Sequence, residues 1–202
     1  MRPFLLILSL LAATPAAAIG ILGFDQARPL EPGQVDAGLG VAAGDEIFNF
    51  YGKGRFGLLP DLEATARAGV ASLGGDLSQT GFEIEGGAIF RFLRQQDTGG
   101  AVTVAALGTA SLLKSEGAFV LGVDPAAAAT HHFRITDDRE IFISATLGLA
   151  VTYIDREMTD TEFGLLGAFV AGVDIIPQVQ LALEAKLRDD LKRVGLAVTY
   201  LF

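Results

Sequence analysis

From about residue 35 to the C-terminus, apolar and polar side chains alternate one by one, in segment after segment. In Gln178–Asp189 (QVQLALEAKLRD), Val179, Leu181, Leu183, Ala185 and Leu187 share one parity, and Gln180, Glu184, Lys186 and Arg188 share the other. A helix would mix these sets, whereas the two-residue period of a strand separates them. Lys192–Phe202, Phe48–Leu58, Leu62–Val70 and Phe82–Phe92 behave in the same way. Val35–Gly44, Ala101–Leu112, Gly117–Val123, Glu140–Ile154 and Phe163–Ile175 are less polar but still strand-like. The pattern predicts about ten strands, most of them near the ~9–11 residues that a tilted membrane strand requires.

The connections alternate too. Leu59-Pro60-Asp61 and Ile176-Pro177-Gln178 are tight turns, with RQQDTG, ending near Gly100, on the same side. Between them fall polar loops at Gly44-Asp45-Glu46, Gly74–Gly81, Lys114-Ser115-Glu116, Asp155–Glu162 and Arg188–Lys192. That rhythm predicts an all-β, up-and-down antiparallel transmembrane barrel. Asp124-Pro125 followed by four alanines carries the marks of a helix start, and Pro removes a ladder donor. A bulge or short helical turn is expected there, in a connection running to about Asp138. If that segment absorbs a strand, or Val35–Gly44 is not one, the count falls toward eight.

The first 18 residues read as a signal peptide. Arg2 supplies the positive charge, Phe4–Ala13 the apolar stretch, and Ala16-Ala17-Ala18 the small residues of a cleavage site. The stretch is too short to span a bilayer as a helix. Residues 19–34, with Pro29 and Pro32, read as an irregular periplasmic arm, and 35–202 as the barrel. Removing Arg2 takes the formal charge from −9 to −10, which argues against a nucleic-acid partner.

Alternation does not say which face points outward; three features decide it. The polar parity is rich in small and hydroxyl residues (Thr103, Thr109, Ser111, Ser144, Thr146, Thr152), too uncharged for a soluble coat. The apolar parity carries no charge across its central positions, as hydrocarbon contact demands. Aromatics such as Phe48, Phe56, Phe82, Phe92, Tyr153, Phe163 and Tyr200 sit mainly near strand ends, as interfacial girdles do. The closing segment, VGLAVTYLF, ends in Phe202 with Tyr200, Val198, Leu196 and Val194 at alternate positions behind it. It resembles the C-terminal insertion signature of bacterial outer-membrane β-barrel proteins. The resemblance implies a Gram-negative outer membrane, both termini in the periplasm, contact with outer-membrane lipid and lipopolysaccharide, and the barrel-assembly machinery as a partner during insertion.

With the polar parity inward, the lumen holds the acids Asp36, Glu63, Glu83, Glu85, Asp124, Asp174 and Glu184. Its bases are Lys53, Arg55, Arg67, Arg91, Lys186, Arg188 and Arg193. In so narrow a barrel these are expected to pair and fill the interior. A turn centred on Leu59 sets Arg55 opposite Glu63, Lys53 opposite Thr65 and Tyr51 opposite Arg67, which predicts an Arg55–Glu63 cross-strand pair.

Other motifs carry less. Gly52-Lys53-Gly54-Arg55-Phe56-Gly57 matches G-x-G-x-x-G, but strand alternation runs through it where a nucleotide site needs a strand–turn–helix. His131 and His132, the only histidines, would be needed for a lipid-modifying enzyme, which joins a His to a Ser and an acid; Ser144 is the nearest serine in sequence. Adjacent residues point opposite ways, so a solvated loop pair is the expected role. Asp155, Glu157, Asp160, Glu162, Asp189 and Asp190 lack calcium-loop spacing and read as an acidic rim facing water. The reading is a monomeric, non-enzymatic envelope structural or surface-exposed barrel, without cofactor or metal. A narrow cation-leaning pore is the alternative and a lipid-modifying enzyme the third reading.

Overall fold

The computed structural model describes residues 29–44, 47–73, 79–97, 99–115, 118–136, 139–155, 160–188 and 191–202. Ten strands follow one another: β1 (Val35–Gly44), β2 (Ile47–Leu59), β3 (Leu62–Leu73), β4 (Gln79–Leu93), β5 (Thr103–Ser115), β6 (Ala118–Thr136), β7 (Arg139–Asp155), β8 (Asp160–Ile176), β9 (Val179–Arg188) and β10 (Leu191–Leu201). Each pairs antiparallel with its neighbours in sequence, and β1 pairs with β10, so the sheet closes without an edge. The order is that of an up-and-down barrel of ten strands rather than eight. Among the described residues no helix is long and apolar enough to cross a membrane, and the elements of crossing length are strands.

The Asp124-Pro125 segment is a correction. It forms neither a bulge nor a helical turn but the middle of β6, which runs unbroken to Thr136. Pro125 lies on the outer face opposite Gly108 of β5, and Asp124 points inward. The ladder to β7 skips both residues and resumes in unchanged register at Ala126–Gly148. A strand held on both sides tolerates a skipped rung, so packing overrides the helix preference of the alanines.

Both termini lie at one end. There the hairpins turn at Pro60-Asp61 and Pro177-Gln178, and β2, β4, β6 and β8 each carry a register shift just before the turn. Several strands run further into their loops than expected: Lys114 and Ser115 belong to β5, and Asp160, Thr161 and Glu162 to β8. β5 starts at Thr103 rather than Ala101, after Gly99 and Gly100 turn the chain in the left-handed region. The expected signal peptide and most of the expected arm, with Asp45, Glu46, Glu157, Asp189 and Asp190, lie outside the described residues.

The barrel is inside out relative to a soluble one. Large apolar side chains line its outside: Leu147 is 75% exposed and Phe163 79%, with Phe50, Leu165, Phe169, Leu183 and Leu196 among the rest of the belt. The inside holds the polar parity plus three small apolar clusters. One joins Tyr51, Phe142, Val170, Ala182 and Ala197 at mid-lumen. Phe142 fits because its cross-strand neighbour is Gly172; a Cβ there would overlap the ring. Gly172→Val is therefore expected to cost about 1–3 kcal/mol, the usual penalty for overpacking, read as a lower urea midpoint for the refolded protein. An unchanged midpoint would mean that the ring is free to move aside.

Candidate functional site: a charged lumen and its mouth

Period two places every second residue of each strand in the lumen, which is why so many charges of distant sequence meet there. Asp36, Lys53, Arg55, Glu63, Arg67, Glu83, Glu85, Arg91, Asp124, Asp174, Glu184, Lys186 and Arg193 are all buried, none more than 9% exposed. Arg188 ends β9, but its side chain lies outside the described residues.

Nearest the terminus-bearing end, Arg55 joins two carboxylates. Its Nε donates to Asp36 Oδ2 at 2.8 Å and its Nη1 to Glu63 Oε2 at 3.2 Å. Arg91 pairs with the other oxygen of Glu63, which also accepts the backbone N–H of Leu30 at 2.7 Å. Arg55 and Glu63 meet, but not by the expected register. The ladder pairs Arg55 with Thr65, Lys53 with Arg67 and Tyr51 with Gly69, and sets Glu63 across from Gly57. The turn proper is only Pro60-Asp61, and a bulge between Gly57 and Leu59 absorbs one residue, so the partner moves by two. The long Arg55 side chain covers the diagonal.

Deeper in, Arg67 Nη2 donates to Glu83 Oε1 at 2.9 Å, and Asn49 Nδ2 to the other oxygen of Glu83 at 2.7 Å. Glu85 lies 3.9 Å from Arg67, whose guanidinium stacks 4.3 Å from the Tyr51 ring centroid. Lys186 interacts with Asp124, Glu85 and Glu184 around it. Against these charges stands a wall of hydroxyls from β5, β6 and β7, among them Thr109, Ser111, Thr130, Ser144 and Thr146. Burying so many ions is tolerable because opposite charges gather beside one another in the lumen.

Outside the mouth a cavity of about 540 Å³ is lined by Pro29, Glu31, Pro60, Arg94, Gln95, Gln96, Thr103, His132, Arg134 and Glu140. Arg94 bonds Asp61 at 2.7 Å and the Pro60 carbonyl at 2.8 Å. The hydrogen bond to Asp61, with Asp97 and Glu31 near, holds its guanidinium above the ordinary value. The Gln95 amide bonds both the N–H and the C=O of His132, taking the place of a strand partner just before the start of β5. The two histidines thus lie on β6, not in a loop, and point opposite ways. His131 contacts the Ala101 carbonyl, whereas His132 lies 3.5 Å from Glu140 and faces Phe142 across the ladder. Ser144 accepts a hydrogen bond from Thr130 at 2.8 Å. The six residues of the glycine motif all lie within β2. Tyr200 and Phe202 form an edge-to-face pair on the outer surface, centroids 4.8 Å apart.

A closed antiparallel meander with an apolar coat and a charged interior is the architecture of bacterial outer-membrane β-barrel proteins. Among solved structures, the chain resembles one described as a bacterial polysaccharide outer membrane secretin, with TM-score 0.51 at 10% identity over 80% of this chain; it spans 57% of that one. The KdgM porin matches at TM-score 0.44 and 10% identity, over 83% of this chain and 99% of that one. The Acinetobacter baumannii outer membrane protein Omp33 matches at 0.38 and 11%, over 87% and 100%. At 10% identity the likeness to the first of these is one of fold alone. No family model matches the sequence, and no curated protein does.

Proposed function

We propose that the chain is a non-enzymatic barrel of a Gram-negative outer membrane, an envelope structural or surface-exposed protein whose lumen is shut by paired charges. The observation that carries this is the burial of the lumenal ions, all at most 9% exposed in a barrel of ten strands. Residues 1–18 would be its cleaved export signal and the terminus-bearing end would face the periplasm. Its partners would be lipid and lipopolysaccharide outside and, during insertion, the assembly machinery that reads Tyr200 and Phe202. One feature favours a narrow cation-leaning pore instead. Asp155, Asp160 and Glu162 stand at strand ends away from the termini, an acidic rim at that mouth. Planar-bilayer recording of the mature chain separates the two, with folding checked by the mobility difference between unboiled and boiled samples. Silence from an inserted, folded barrel is the expected result; steady cation-selective steps would make it a pore.

A further inference from the structure

We propose that the segment before β1, Pro29–Gln34, is a strap, and that it seats Leu30 as a stopper in the terminus-bearing mouth of the lumen. The inference rests on the closed-lumen reading and names the part that does the closing at that end.

Leu30 precedes the first strand, where a side chain would ordinarily face water, yet it is 2% exposed. Its backbone N–H donates to Glu63, the fully buried carboxylate that Arg55 and Arg91 also hold. Beside it remains a cavity of only about 20 Å³, bounded by Asp36, Arg55, Asp174, Gln180 and Thr199, room for about one water. An apolar side chain therefore sits across the mouth and abuts the ionic cluster below.

The strap is built to turn inward. Gly33 N donates to the Gly57 carbonyl at 2.8 Å and Gly57 N to the Gln34 carbonyl at 3.0 Å, which extends the β1–β2 ladder by one rung. The chain then reverses: Gln34 N bonds the Glu31 carbonyl at 3.0 Å, and the Gln34 side chain accepts from Glu31 N at 2.8 Å. Position 57 must be glycine for this path, because a Cβ there would overlap the Glu31 carbonyl. Glu31, Pro32 and Gly33 are exposed, so Leu30 is the buried anchor of a strap otherwise held by rim hydrogen bonds. Segments with few buried contacts open at the low-energy end of a protein's motions, so the stopper can leave without the barrel unfolding.

The chain has no cysteine, so Leu30→Cys introduces a single thiol. In the refolded barrel, a charged water-soluble maleimide should label it about tenfold or more slowly than Asp97→Cys, a loop position, because it reacts only when the strap lifts. Gly57→Val, whose Cβ would overlap the Glu31 carbonyl and press on the Leu30 Cβ, should displace the strap and abolish that protection. In planar bilayers in potassium chloride the unaltered chain should be silent and Leu30→Gly should give ion steps, with gel mobility showing both folded. Labelling of Leu30→Cys as fast as Asp97→Cys would overturn the strap. Silence from folded Leu30→Gly would also overturn it and leave the closed-lumen reading standing, with the ion pairs as the whole seal. Steps from the unaltered chain would overturn both.

Discussion

Glu63→Ala is expected to lower the free energy of unfolding by about 3–5 kcal/mol, the cost of removing one partner from a buried ion cluster. Glu63 is fully buried and ties together Arg55, Arg91 and the backbone of Leu30. Without it Arg55 keeps its pair with Asp36, whereas Arg91 loses the carboxylate it is paired with. The loss comes less from the bonds themselves than from stranding positive charge away from water. Two further variants separate these causes. Glu63→Gln keeps the shape and a carbonyl acceptor but not the charge, so it should fall between. Glu63→Leu combined with Arg91→Leu removes a stranded cation along with the acid and should recover part of the deficit, as apolar replacements of whole buried pairs often do. Urea unfolding midpoints of the refolded proteins would check all three; a midpoint for Glu63→Ala equal to that of the unaltered chain would show that the cluster is hydrated and bears no stability.

The parity of the strands was legible because it rests on a local rule. Side chains two apart share a face, so Glu83 and Glu85, or Glu184 and Lys186, could be placed in the lumen from spacing alone, and the structure buries all four. What depends on the exact register was not. Arg55 lies across from Thr65 because a bulge between Gly57 and Leu59 inserts one residue beside a two-residue turn, and no sequence signal marks where a bulge falls. Pro125 misled for a related reason. Its composition argues locally for a helix start, but the outcome is set by strands from elsewhere in the chain that clasp it on both sides. Phe142 and Leu30 were missed because they look like ordinary apolar residues. Phe142 takes the inner face because Gly172 leaves space for a ring, and Leu30 because Gly57 admits the turn of the strap. In each case a glycine on another strand was the signal, readable only once the pairing was known.

The outward belt yields the second large effect. Leu147 sits at the centre of β7, faces outward and is 75% exposed. If that surface lies in hydrocarbon, Leu147→Arg should cost about 2–4 kcal/mol, because an arginine at the bilayer midplane must be solvated by lipid or bend toward the interface. The same change near a strand end, Tyr153→Arg, should cost only about 0–1 kcal/mol, since the headgroup region is within reach. Depth dependence is the discriminating feature. A barrel with this face in water would accept either arginine within about 0.5 kcal/mol, as surface substitutions generally do. Unfolding titrations in lipid vesicles would measure both. A graded penalty places β7 across the membrane with Leu147 near its middle, and a flat response would assign the apolar coat to some other contact. The result is independent of conduction, because it reads the outside of the barrel, whereas Glu63 and Leu30 concern only its interior.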